Sequence, residues 1–347
     1  MHLAARFLAL SSTDRTAAFG QAATSKAVSS VMIEKDFWVC WLLGVVFADP
    51  ELAPHIVFKG GTSLSKVYGA IDRFSEDIDL SLSPAFVGAD ETRLDAASSR
   101  AQRDLAMRAM QERCAEKARD FVTPRLEAAI AERLGRPIAA AWLNYEDDPS
   151  SRSPVIHFRY PTFVTPGLEY LRREVKLEMG SLTDQQPTER SSVRPWIADE
   201  FSELFEGWTC TVTALELART FWEKATILHA EHHRPARSIT PDRYSRHYAD
   251  MARLILHPRG EAILQDHVLC ERVVQWKSRM FASKWANYEA ARPGSFRLVP
   301  AESRFPALEK DYAQMKPMFL SQPPAFEEVM ATLASAEHRL NPVGDGR

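Results

Sequence analysis

The four cysteines of this 347-residue chain, Cys40, Cys114, Cys210 and Cys270, lie far apart and form no Cys-x-x-Cys pair. That spacing excludes a disulfide framework or a zinc knuckle and predicts buried, reduced thiols in a cytoplasmic protein. Long apolar runs are missing as well. The densest, Phe37 to Ala48, reaches about twelve residues, too few to span a bilayer and suited to a buried helix. The opening MHLAARFLALSSTD has no small-residue cleavage pattern after its short apolar run, so no signal peptide and no membrane partner are expected. Charge of one sign is not in excess either. Lys and Arg number 43 against 46 Asp and Glu, a net charge of −3, which argues against a general polyanion binder while allowing a local basic cleft. Repeats and low-complexity segments are absent.

What remains is the composition of a folded protein, 45% apolar and 26% charged, long enough for one large or two ordinary domains. Residues 13–48 read as two helices, the second opening near Ile33-Glu34-Lys35-Asp36 and carrying Trp38 and Trp41 into a core. The β-branched run HIVFK (55–59) predicts a strand. Gly60-Gly61 breaks it, and Thr62 or Ser63 can cap a helix through Tyr68. DIDLSL (77–82) alternates as a second strand. Residues 92–134 carry apolar positions at helical spacing and predict one broken helix or two consecutive ones, inserted in the sheet domain. Further strands are expected at Ala139–Leu143, Val155–Tyr160, Arg173–Met179 and Trp208–Val212. The polar stretch Thr183 to Pro195 is the expected domain boundary. Beyond it, helices are expected at 214–232, 242–257, 259–280 and in a tail to about 340. The fold class is therefore α+β: a domain over 1–190 with a mixed sheet flanked by helices, then a mainly helical domain over 205–347.

The acids carry the chemistry. Asp77-Ile78-Asp79 puts two carboxylates on one face of a strand, because side chains repeat every two residues. Like charges held so close need a positive partner, and Mg²⁺, a hard cation taking carboxylate and phosphate oxygens, suits them. Glu178 in VKLEMG is an acid between apolar neighbours on a later strand, and would be the third ligand of a two-metal site. For Asp-x-Asp alone, a pair of solvated strand acids is an equal reading. The double glycine upstream and Glu178 downstream favour the metal.

FKGGTSLSK, RFSEDIDL, VKLEMG, RTFWEKATILH and RYSRHYAD together resemble the AbiEii/AbiGii toxin family of nucleotidyltransferases, to which the MenT toxins are related, within the DNA polymerase β-like superfamily. The likeness runs from about Glu34 to Asp250. One departure is Gly61-Thr62 where the superfamily commonly has Gly-Ser. The resemblance implies an enzyme that moves a nucleotide from an NTP to an acceptor and releases pyrophosphate. It also implies a toxin of a toxin–antitoxin or abortive-infection pair with a cognate antitoxin, and a tRNA 3′ end as acceptor. Transfer to a protein or small molecule and an NTP-binding regulatory module without turnover are the alternatives. By the same resemblance Gly60, Gly61, Thr62 and Ser63 meet the nucleotide phosphates, Asp77 and Asp79 hold the metals, and Glu178 binds a metal or takes the acceptor's proton. Lys224 would neutralise the triphosphate, with Asp250 orienting it or Arg243 or supporting the metals, although by composition alone Lys224 reads as a surface lysine and Asp250 as a helix-face partner of Arg246.

His229, His232, His233, Arg234, Arg237, Arg243, Arg246 and His247 crowd into a stretch whose only acids are Glu231 and Asp242. HAEHH lacks the spacing of a zinc helix. A basic loop facing the cleft is expected instead, with Arg243, Arg246 and His247 on the nucleotide, against the alternative of a solvated turn. Ser75 points to the same site as Asp77. Lys66, and more weakly Lys59, Lys35 and Arg73, surround the glycine turn as phosphate candidates. Trp38, Trp41 and Trp222 read as core.

Overall fold

The computed structural model describes residues 4–89, 92, 96–135, 141–148, 153–164 and 172–342. The architecture is α+β. The chain divides into two compact units, residues 1–67 with 74–215, and residues 68–73 with 216–347.

The first unit holds a mixed sheet of seven strands: β1 (Ile56–Lys59), β2 (Ile78–Leu82), β3 (Leu143–Asp147), β4 (Pro154–Phe158), β5 (Val175–Gly180), β6 (Thr188–Ser192) and β7 (Thr211–Leu215). Their order is β3-β4-β5-β2-β1-β7-β6. β2 runs antiparallel to β1 and parallel to β5, and β1 runs parallel to β7. The apolar alternation of β2 and β5 turns Ile78, Leu80, Val175, Leu177 and Met179 into the core, where each is at most 1% exposed. Their polar residues then share the opposite face.

Helix α1 (Ser12–Lys26) precedes α2 (Ser30–Ala48), which starts three residues before the expected opening because the Ser29 hydroxyl accepts from the Met32 N–H at 3.2 Å. α2 is buried from Val31 to Val46 and packs on β5 and β7. Trp38 and Trp41 are fully buried there, core residues as expected. The expected helical insertion resolves into α3 (Arg100–Lys117) and α4 (Thr123–Leu134), joined by a π-turn at Ala118–Val122. All four cysteines are buried and unpaired.

Two expectations fail in the strand assignment. β6 runs through the stretch read as a linker. Its sequence TERSS offers no apolar face, because it is an edge strand held by antiparallel pairing with β7. The expected strand at Ala139–Leu143 falls partly outside the described residues; β3 instead begins at Leu143 and pairs with β4.

The second unit is helical: α5 (Leu217–His232), α6 (Ser245–Leu256), α7 (Gly260–Leu264), α8 (His267–Met280), α9 (Phe305–Gln314) and α10 (Phe326–Leu340). The helix expected over 259–280 is two helices, since Asp266 caps α8 by accepting from the Leu269 N–H at 3.0 Å. α6 packs against α5, α9 and α10. Trp222 is buried in this core. No helix among the described residues is long and apolar enough to cross a membrane.

Candidate active site

β1 ends in a backbone reversal. Gly60 adopts φ +81°, a left-handed conformation that glycine takes without strain. A short helix, Gly60–Lys66, begins there. Thr62 is 1% exposed; its Oγ1 donates to the Asp77 carbonyl at 2.5 Å and lies 2.9 Å from Ser75 Oγ. That hydroxyl ties the glycine turn to the residues entering β2. Ser63 is buried too, and its hydroxyl has no hydrogen-bond partner.

Strand register assembles the acids. Asp79 lies opposite Lys59 of β1 and beside Glu178 of β5. Cross-strand neighbours share a sheet face, so Lys59, Asp79 and Glu178 form a row across three strands. Asp77 precedes β2 by one residue and stands two from Asp79. Burial, then repulsion from Glu76, Asp79 and Glu178, pushes the Asp77 carboxyl up to about 6, with Lys176 pulling it back. Carboxylates gathered in this way are a hard-oxygen donor set suited to a divalent cation. Glu178, however, is salt-bridged through Oε1 to Lys176 Nζ. Among the described residues no three His, Cys, Asp or Glu side chains close into a metal-holding group. Asp77, Asp79 and Glu178 thus fit a cation in residue type and register, while Lys176 holds the third acid.

Around this face the charges are matched. Lys35, buried on α2, lies 2.6 Å from Glu76 Oε2 and donates to the Arg172 carbonyl at 2.8 Å. Lys66 is buried with its ammonium 2.5 Å from Asp36 Oδ1 and over the Trp196 ring. Asp36 also accepts from the Trp196 N–H at 2.6 Å. The lysine expected on phosphate therefore has a carboxylate partner within the first unit.

In the second unit Lys224 and Asp250 meet. Lys224 Nζ is 2.9 Å from Asp250 Oδ2, and Arg73 grips both Asp250 oxygens at 2.8 Å. All three are under 9% exposed. Burial opposes the Asp250 charge, but Arg73 and Lys224 outweigh it and hold the carboxyl well below the usual range. Burial, with the like charges of Arg73 and Arg246, holds Lys224 below an ordinary lysine although Asp250 pulls the other way. His247, close to this group, is pushed far down by burial and by Lys224 and Arg246; its Nδ1 is buried without a partner. Asp250 thus accepts from Lys224, and its other partner is Arg73 and not Arg243. Arg243 sits at φ +57°, its N–H donating to Asp311 Oδ1 at 2.6 Å. Arg246 is exposed.

Two further histidines of the basic stretch bond to backbone groups. His229 is fully buried: Nδ1 accepts the Arg297 N–H at 3.0 Å and Nε2 donates to the Asn287 carbonyl at 2.9 Å. Burial lowers it to about 4. His232 lies 2.8 Å from the Val299 carbonyl, and Arg234 is paired with Glu231. The α5 end of the basic stretch is therefore turned inward or paired, because an amphipathic helix buries one side whatever its formal charge, while Arg237, Arg243 and Arg246 are exposed.

Sequence reading ranked Arg73 low and passed over Lys176. Lys176 carried a signal, lying two residues before Glu178 on the same strand face. Arg73 carried none, since its partner is 177 residues away.

A family model described as nucleotidyl transferase AbiEii toxin, type IV toxin–antitoxin system, matches residues 41–332. No curated protein matches the chain. Among seven matching chains of solved structures is MenT4, a nucleotidyltransferase toxin from Mycobacterium tuberculosis H37Rv, with 13% identity and a TM-score of 0.49, covering 97% of this chain and 91% of that one.

Proposed function

The chain belongs to the AbiEii nucleotidyl transferase toxin family, a type IV toxin–antitoxin nucleotidyltransferase, and we propose that it transfers an NMP from an NTP to the 3′ end of tRNA with Mg²⁺ bound by Asp77, Asp79 and Glu178. The single observation that carries the site assignment is the β2–β5 register, which sets Asp79 beside Glu178 two residues after Asp77.

The bound cation would neutralise the developing phosphate charge and position the α-phosphate. The chain's own residues do the rest. Gly60 and Gly61 bring the backbone close to the nucleotide, and the amides opening the helix at Gly60–Lys66 favour its anionic oxygens. Thr62 and Ser75 fix that turn against the entry to β2. Lys224 is assigned to the triphosphate, with Asp250 and Arg73 holding its position. In the reaction the acceptor hydroxyl oxygen bonds to the α-phosphorus as the bond from that phosphorus to the bridging oxygen breaks. Pyrophosphate departs with the electron pair, and the hydroxyl proton passes to the carboxylate face.

The experiment is incubation of the protein with Mg²⁺, total tRNA and each α-labelled NTP in turn, beside D77A/D79A. Label on tRNA from the wild type alone supports the reading and names the nucleotide. Label appearing on protein or a small molecule, with none on tRNA, overturns the acceptor.

A further inference from the structure

One ammonium group stands inside the acidic face with no role in the transfer described so far. Lys176 and Glu178 are two residues apart on β5, so their side chains leave the same side of the sheet about 6.7 Å apart at the backbone. The lysine stem spans that interval, and Lys176 Nζ is salt-bridged to Glu178 Oε1. The neighbouring Glu76 already has Lys35 as its partner. Lys176 is therefore the cation paired with Glu178, one of the three acids assigned to the metal.

We propose that Lys176 is a positioning residue that competes with the divalent cation for Glu178 and so sets the metal affinity of the site. This rests on the metal reading of Asp77, Asp79 and Glu178. A cation entering the row must take Glu178 from Lys176, or bind with Asp77 and Asp79 alone. The competition weakens resting metal binding in two ways: it withholds one carboxylate, and it places a unit positive charge among the ligands. A unit charge at this range, partly screened near the surface, is worth roughly a tenfold change in affinity.

The test is Mn²⁺ binding to the full chain, followed by electron paramagnetic resonance without nucleotide. K176M should bind Mn²⁺ roughly tenfold more tightly than wild type, while K176R, which keeps the charge and the pairing, stays near wild type. In K176M/E178Q the gain should vanish, because the two substitutions act on one pair. Equal or weaker binding by K176M, with Mn²⁺ still lost in D77N, overturns the competition and leaves the metal reading standing. No Asp77-dependent binding in any variant overturns both. A measurement on the unaltered chain guards against misfolding of the variant: Mn²⁺ should raise acetic anhydride labelling of Lys176 as its ammonium is released, read by peptide mass spectrometry. Labelling that does not change on saturation with Mn²⁺ counts against release.

Discussion

Asp79 occupies the space that a side chain at position 60 would need. A Cβ built on Gly60 would lie 1.9 Å from Asp79 Oδ2 and 2.6 Å from its Cγ. The glycine turn and the acid are thus one packed unit, and either is misplaced without the other.

Gly60→Ala is accordingly expected to combine strain at φ +81° with displacement of Asp79. The backbone strain costs about 1–3 kcal/mol. Nucleotide transfer should fall at least about a hundredfold, since a misplacement near 1 Å at a reacting centre costs that much. Thermal unfolding and a labelled-nucleotide assay on the same preparation check both. Gly61→Ala, next in the chain, should be milder because the left-handed turn is made at Gly60 and Gly61 lies inside the helix that follows.

Asp250→Ala should be severely destabilising. It would leave Arg73 and Lys224 buried without their shared carboxylate, and breaking a buried pair from one side costs about 3–5 kcal/mol. Urea unfolding measures the loss. Adding K224M to D250A should recover part of it, because the second substitution removes one orphaned charge.

Lys66→Met tests a residue whose sequence position suggested phosphate and whose contact is Asp36. Stability should drop by about 3–5 kcal/mol. At temperatures where the variant remains folded, the KM for NTP should stay within about twofold of wild type, as uniform binding energy would be untouched. A large rise in KM without loss of stability would return Lys66 to the nucleotide.

The pH dependence of stability should carry the signature of His229. Its folded value is lowered to about 4, against about 6.5 in an unfolded chain. Between those values the unfolded chain binds the additional proton, so stability rises with pH across that window and is flat for this group above it. Falling from pH 6.5 to 4 should remove about 3 kcal/mol. Urea midpoints across this range should show that slope, and H229Q should flatten it while losing stability at neutral pH through its altered bonds to Arg297 and Asn287.

The parts of the fold legible in sequence were those written in local pattern. The run IVFK, the double glycine and the alternation of DIDLSL yield β1, the turn and β2 within a residue or two, because each step is set by neighbouring side chains. β6 was illegible for the same reason: TERSS has no apolar face, and its extension comes from pairing with β7. The acids Asp77, Asp79 and Glu178 stood out as a group, and register places Asp79 beside Glu178. What surrounds them did not stand out. Lys66 and Asp36, Lys35 and Glu76, and Arg73 and Asp250 are pairs made by folding, and a single sequence, which offered the three cations as phosphate candidates, shows none of these pairings. The helix α5 shows the converse, where histidines that looked basic in sequence are bound to backbone groups.

The assignment of residues 68–73 to the second unit has a consequence for modular exchange. The polypeptide enters that unit at Tyr68, leaves after Arg73 and returns at Glu216. A fragment cut at Glu216 would carry Lys224 and Asp250 but lack the guanidinium that grips both Asp250 oxygens. The helical unit is therefore not a transplantable cassette. Any recombination that swapped it between relatives would have to carry six residues from the heart of the other unit's sequence, which ties the inheritance of the two together.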